Sequence, residues 1–492
     1  MRKKHIITTL LMLVTLISHA ADTDSALVEH TGLWQTICEP ARQNPAIHGV
    51  AFNTPFSQLY LQTDWQHQSK AFVEEKGDGY LLPTAHVDTY LPLTDHSTVW
   101  GHASYMNGQQ HHIRWNSTSD HDLLEPYILA DTIGGDTQHE RYVFEGGYAT
   151  QIGQWLMGAE MLFRADHEYR DVDPRMRGIV NELTLRMGGG RQWHHYNWAI
   201  GFEGTIYKQR NTVEFYRELG VVPEYQMTGL GTDYARFSGD KRALQYEGGG
   251  VRLLLDAIPS NKKGLFAHFS WSESRYHRLV TENYILPLTD LYTQSIQGRA
   301  GFQGPLSVYV DADYAKRSGD EHIIGTSATT SFPDLGTLTM YKNHRFISSL
   351  TALYATTRWQ AQTRLGYQSN RQEYAYPERR MNSAHAFAEL TGMIFLKPSR
   401  QILLTGGMTI AHRHGLSSLL TMPFADMRST FAEKARYSYD FAKAHYTDLQ
   451  AQLRYDHQLK DYGLFISLNG GYTSCSANAH QTTGCLSIGI TF

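Results

Sequence analysis

The residues best equipped for chemistry in this sequence are its histidines, 25 of them in 492 residues. Imidazole ligates transition metals and haem iron and exchanges protons near neutrality. His111 and His112 are adjacent, so in a strand they face opposite sides, whereas His412 and His414 share one side. These four are the candidate metal or haem-iron ligands. The competing reading makes them ordinary amphipathic residues at a membrane interface, and no cofactor is assigned. His102 and Ser104, and again His268 and Ser270, stand two apart. A base and a nucleophile at that spacing lie on one face of a strand, as acyl transfer requires. Chance supplies such a spacing in a histidine-rich chain, and HExxH, GxSxG and a glycine-rich phosphate loop are absent. The expectation is no enzyme.

Charged residues form a second set. Glu160, Arg164, Glu203, Arg299, Asp311, Asp313, Arg364, Glu389 and Arg454 fall on the polar side of runs that alternate with apolar residues. On the inner face of a barrel they would line a polar channel. Their signs are balanced, so pairing across the wall is expected for most, without selectivity for one ion sign. Cys475 and Cys485 flank a polar loop between two strand-like runs and are the candidate disulfide in an exported chain.

The elements that must position these residues are strands. FSQLYLQTDW, WLMGAEMLFR, WAIGFEG, LSVYVDADY, WQAQTRLGYQ, LQAQLRY and YGLFISLNGG each read with period two. Aromatics sit at the ends of the apolar stripes, as Trp155 and Phe163 or Trp359 and Tyr367 do, which suits girdles at two membrane interfaces. Short connections are expected at 93–96, 188–192, 259–264, 303–305 and 398–400. Long ones are expected at 117–139, 210–241, 317–344 and 415–445. After residue 20 no apolar run is long enough for a spanning helix. MRKKH followed by IITTLLMLVTLIS and Ser18-His19-Ala20 reads as a secretory signal peptide. The net charge of −4 argues against a nucleic-acid partner.

The fold expected is all-β: a transmembrane antiparallel β-barrel of about eighteen strands (sixteen to eighteen), with short periplasmic turns and long extracellular loops. Residues 1–20 form the signal peptide, 21–55 an N-terminal segment able to plug the lumen, and 56–492 the barrel.

Phe492, after alternating Leu486, Ile488 and Ile490, resembles the C-terminal signal by which outer-membrane barrels are recognised for assembly. Asn44-Pro45-Ala46 resembles the end of the N-terminal hatch in outer-membrane fatty-acid transporters. Length, signal, Asn-Pro-Ala and terminal Phe together resemble an uncharacterised Bacteroidetes-type family of large barrels linked to TonB-dependent receptors. The resemblance implies an outer-membrane location among lipids, the barrel assembly machinery as a partner, and passage or uptake of a small solute. The alternative is a non-conducting accessory barrel whose His-rich loops bind metal, haem or a TonB-dependent receptor.

Overall fold

The computed structural model describes residues 23–216, 223–234, 243–281, 285–326, 332–460 and 462–492. The signal segment 1–20 lies outside the described residues, as do parts of the 210–241 and 317–344 connections. Eighteen strands make the wall. The first seven are β1 (Phe56–Gln68), β2 (Gly79–Thr94), β3 (Ser97–Ile113), β5 (Gly135–Ile152), β6 (Trp155–Tyr169), β7 (Arg175–Trp193) and β8 (Tyr196–Glu214). Then come β11 (Ala243–Pro259), β12 (Gly264–Val280), β13 (Leu286–Gln303), β14 (Leu306–Ile324), β15 (Asp334–Ala355) and β16 (Trp359–Tyr374). The last five are β17 (Arg379–Ser399), β18 (Ile402–Thr421), β19 (Tyr446–Gln458), β20 (Gly463–Cys475) and β21 (Ala479–Thr491). The short β4 (Leu129–Ala130), β9 (Tyr225–Gly229) and β10 (Thr232–Asp233) form a small separate sheet.

Each wall strand pairs antiparallel with its neighbours along the chain, and β21 returns to β1 with Ile488 opposite Leu61. The Phe492 amide donates to the Ser57 carbonyl at 3.0 Å. A sheet closed this way leaves no edge with unpaired backbone groups, the condition for strands to cross hydrocarbon. Burial runs opposite to that of a water-soluble protein. Leu59 and Leu61, Met157 and Met161, Ile200 and Phe202, and Leu486 and Ile488 are exposed, while the alternating Glu160, Glu203 and Ser487 are buried. The apolar face points outward, and Trp155, Trp193, Trp198 and Trp359 are exposed near one rim. The chain is therefore a transmembrane β-barrel. No described helix is long and apolar enough to cross a membrane.

The connections alternate in length, with two departures from the sequence reading. Residues 188–192, expected to turn, lie inside β7, and the turn falls at His194–His195, both with positive φ (47° and 65°). Two left-handed residues make the tight hairpin that matches strand twist. Most of 317–344 is strand, so β14 and β15 leave only 325–333 between them. At the long-loop end, segments from 114–134, 223–234 and 422–445 fold inward.

Between the walls lie two fillings. Residues 23–55 run through the half near the short turns as a helix (Thr23–Thr31), two 3-10 turns (Leu33–Thr36, Pro40–Gln43) and one helical turn (Pro45–His48). They touch the inner face all round: Tyr90 of β2, Asp256 of β11, Arg299 of β13, Gln360 of β16 and Met393 of β17. At the other end Trp115, Tyr127, Ile128, Leu129, Met227 and Phe431 form an apolar core with inward Tyr207, Tyr246, Tyr276, Tyr341 and Tyr374. Arg278 is wholly buried there, donating to the Met227 carbonyl at 3.0 Å with its guanidinium 5.4 Å from the Tyr127 ring. Arg170 and Asp131, also buried, pair at 3.0 Å.

The expected disulfide does not form. Cys475 faces Ala479 across the β20–β21 hairpin while Cys485 faces Asn469, and both thiols are free. That register separates them by about 20 Å along the strand, against the roughly 4–7 Å between Cα atoms that a disulfide spans.

Candidate functional site

The seat of the N-terminal segment begins with Asn44. Its Oδ1 accepts from the Ala46 amide at 3.1 Å, and Pro45 follows at the first helical position. That is an Asn cap followed by a residue whose φ is already helical. The Asn44 Nδ2 donates at 2.9 Å to Asp256, whose other oxygen bonds the His268 Nδ1 at 2.6 Å. Beneath Asn44 and Pro45 the wall carries a cross-strand row, Ala149, Gly158, Gly188, Gly201 and Leu254, from five consecutive strands. A Cβ on Gly188 would lie 2.1 Å from Asn44 Oδ1, and one on Gly158 2.5 Å from the Pro45 carbonyl carbon. The glycines therefore allow backbone approach. Gly188, within a stretch that reads as a turn, is one of these seat positions.

Farther along the segment, His48 stacks on Trp100 at 4.5 Å and His30 on Phe52 at 4.0 Å. Tyr90 donates its hydroxyl to the carbonyls of His48 and Gly49. Burial lowers the His48 imidazole to about 4. Glu29 accepts from Thr54 and Asn53 and pairs with Lys262 of a short turn at 3.0 Å. Burial pushes its carboxyl up, but those hydrogen bonds and the lysine prevail and hold it below the usual value. Burial raises the Cys38 thiol to about 11.

All nine charged residues singled out from sequence lie on the inner face, and most are neutralised. Arg186 bridges Glu160 and Glu203, and Glu160 also accepts from Trp100 Nε1 at 2.7 Å. Arg164 meets Asp120, Asp166 and Glu182 within 2.7 Å. Arg299 bonds Asp311 and the Thr36 carbonyl of the N-terminal segment. Asp313 accepts from Gln297, and Arg454 donates to Asp456. Arg364 donates to Ser349 at 3.0 Å, and Glu389 has a weak contact from Thr391 at 3.5 Å. Beside the inward loop 116–123 a cavity of about 630 Å³ is lined by Tyr80, Asp120, Arg141, Arg164, Asp166 and Glu182, among others.

The four histidines proposed as metal ligands do not converge. His111 and His112 lie on β3 at a register shift and bond Asp136 and Asp78 respectively. His412 and His414 share a face, as expected, but it is the exposed outer face of β18, and His414 stacks on His445 at 4.3 Å. Strands β19, β20, β21, β1 and β2 separate the two pairs. Among the described residues no group of three or more His, Cys, Asp and Glu side chains could hold a metal ion. The histidines serve instead in local pairs with carboxylates, including His277 with Asp290 and His322 with Asp334.

The two His-x-Ser spacings have different fates. Ser270 contacts Gln297 and not His268. His102 bonds the Ser104 hydroxyl through Nε2 at 3.2 Å and Asp88 through Nδ1 at 2.5 Å. Sequence reasoning missed Asp88, Asp120, Asp256 and the glycine row. Glycine inside a strand pattern was the available signal for the last.

A membrane barrel with an occupied lumen is the class these features define. A model described as a family of unknown function (DUF6850) matches residues 45–492, and the chain belongs to that family. No curated protein matches. Among solved structures, the chain is similar to BauA, the ferric preacinetobactin receptor of Acinetobacter baumannii (8% identity, 90% of this chain and 80% of that one, TM-score 0.40). It is also similar to a mutant of PfeA, the ferric enterobactin receptor of Pseudomonas aeruginosa (7%, 89% and 80%, 0.39). A third is Pseudomonas aeruginosa OpdK with vanillate (9%, 89% and 99%, 0.31).

Proposed function

We propose that the protein is a gated passage of the bacterial outer membrane, taking a small polar solute through a lumen that residues 21–55 close as a plug. The observation that carries this reading is the glycine row under Asn44 and Pro45, which gives the segment a fitted seat on the wall. The seat joins hydrogen bonds and stacked rings to two apolar contacts, Ile37 and Ile47 against Ile258, Phe266 and Leu353, and Leu27 against Met393 and Leu403. None of these belongs to the strand ladder, so the segment can open locally without unfolding the barrel. The cavity lined by Arg141, Arg164, Asp166 and Glu182 in the long-loop half gives a solute somewhere to go. The nine inner charges act mainly in pairs that shape the lumen, so passage carries little selectivity for ion sign. Phe492 serves as the assembly signal read by the barrel assembly machinery.

The dry core of the inward loops supports a second reading, a non-conducting barrel whose outer loops meet a ligand or a TonB-dependent receptor. Single-channel recording separates the two. The full chain is expected to be closed for most of the time, and deletion of 22–48 to give steady conductance. Silence of both proteins would overturn passage and favour the binding barrel.

A further inference from the structure

Asp88, His102 and Ser104 form a charge-and-hydrogen-bond chain on the inner wall that neither passage nor plugging uses. Asp88 and His102 are register partners on β2 and β3, and Ser104 is the next inward residue of β3. His102 Nδ1 is 2.5 Å from Asp88 Oδ1, and its Nε2 is 3.2 Å from Ser104 Oγ. The order of groups is carboxylate, imidazole and hydroxyl, with each ring nitrogen committed to one neighbour. That arrangement activates a serine: the carboxylate fixes the tautomer, and Nε2 is left to accept the hydroxyl proton.

We propose that this is a nucleophilic hydrolase site that cleaves small, water-soluble carboxylic esters inside the lumen. Three observations carry the assignment. First, among the described pairs only this one has a serine hydroxyl on the other ring nitrogen. Second, His102 and Asp88 keep 30% and 33% of their side-chain surface open, whereas His268 and Asp256 keep 2% and 0%. Third, the row lies two residues along β2 from Tyr90, which holds the N-terminal segment. It therefore faces the lumen about 7 Å along the wall from Tyr90, on the side away from the short turns. His86 is the register partner of Ser104 and stacks on Tyr60 at 4.7 Å, walling one side of the row. A lipid is excluded as substrate because acyl chains meet only the outer face.

Ser104 Oγ bonds to the ester carbonyl carbon while its proton passes to His102 Nε2, and the carbonyl π pair moves onto oxygen. Collapse breaks the bond to the alcohol oxygen, which leaves with the proton from Nε2. Water then repeats the sequence on the acyl-serine, freeing the carboxylic acid and restoring the hydroxyl. Asp88 acts as a positioning residue.

The test uses the full chain in detergent, treated with a small fluorophosphonate and mapped by mass spectrometry, alongside turnover of p-nitrophenyl acetate. An adduct on Ser104 is expected. Ser104→Ala should abolish adduct and turnover, Ser270→Ala should change neither, and Asp88→Asn should slow phosphonylation by about 10²–10⁴-fold. Ser104→Cys, treated with a small methanethiosulfonate, reports access. Its reaction should survive Asp88→Asn, which a merely structural role for Asp88 would not allow. A reactive Ser104→Cys with no phosphonate adduct on Ser104 overturns the proposal. So does turnover that persists in Ser104→Ala, or a Ser104→Cys thiol that no reagent reaches. None of these outcomes depends on whether the barrel conducts.

Discussion

At Gly188 the position of one methyl group decides whether the N-terminal segment can sit. A Cβ there would come within 2.1 Å of Asn44 Oδ1, and the Asn44 side chain has nowhere to retreat because it also bonds Asp256 and caps the turn that follows. Gly188→Leu is therefore expected to unseat the segment while leaving the barrel intact, since β strands accept leucine readily. Single-channel recording checks this. Conductance resembling that of the chain lacking 22–48 is the expected result, and a closed channel with the segment still docked would contradict it. The nine inner charges were legible in the sequence because each alternated with apolar residues. Their partners were not, because Arg164 and Asp120, or Arg299 and Thr36, lie far apart in the chain and meet only across the lumen.

At the scale of the element, the N-terminal segment should answer to pH. Its His48 is buried between Trp100 and the Arg42 carbonyl, with the Arg42 and Arg186 cations and His30 acting on it, so its imidazole falls from 6.5 to about 4. A released segment binds a proton that the docked one refuses. Docking is thus at full strength above about 6.5 and weakens as pH falls toward about 4. Glu29 works in the same direction: its lowered carboxyl favours docking above its ordinary range, and that contribution is lost as pH falls through the docked value. Protease access to residues 23–55 should rise between pH 6.5 and 4. His48→Gln should reduce that rise, with His30, whose imidazole burial also lowers, supplying the remainder in the same window. A flat profile in the unsubstituted chain would refute it. The separateness of this segment from the strands was legible in its lack of period-two alternation, whereas its seat was not, because the seat belongs to β5, β6, β7, β8 and β11.

For the whole molecule, the barrel makes a prediction about sidedness. Leu61 is an exposed outward residue in the middle of β1, and its neighbour Gln62 points inward and bonds Asp64. Leu61→Lys should destabilise the folded barrel in bilayers by about 2–4 kcal/mol, and Gln62→Lys by no more than about 0.5 kcal/mol. Urea titration in vesicles measures both, and equal costs would mean that the assigned faces are wrong.

Period-two alternation determined, from sequence alone, the fold class, the face each side chain would take and the approximate strand number. That information is local: a strand fixes its own two faces, and an outward apolar stripe has only one solvent to meet. The terminal run through Phe492 belongs to the same pattern and takes its place beside β1. What only the tertiary structure decided is which residues meet across the lumen. The glycine row, the unconnected histidine pairs, the separated cysteines and the third member of the Asp88–His102–Ser104 chain all depend on strand register and barrel closure. Register is set by pairing between segments distant in sequence, and no residue carries it alone.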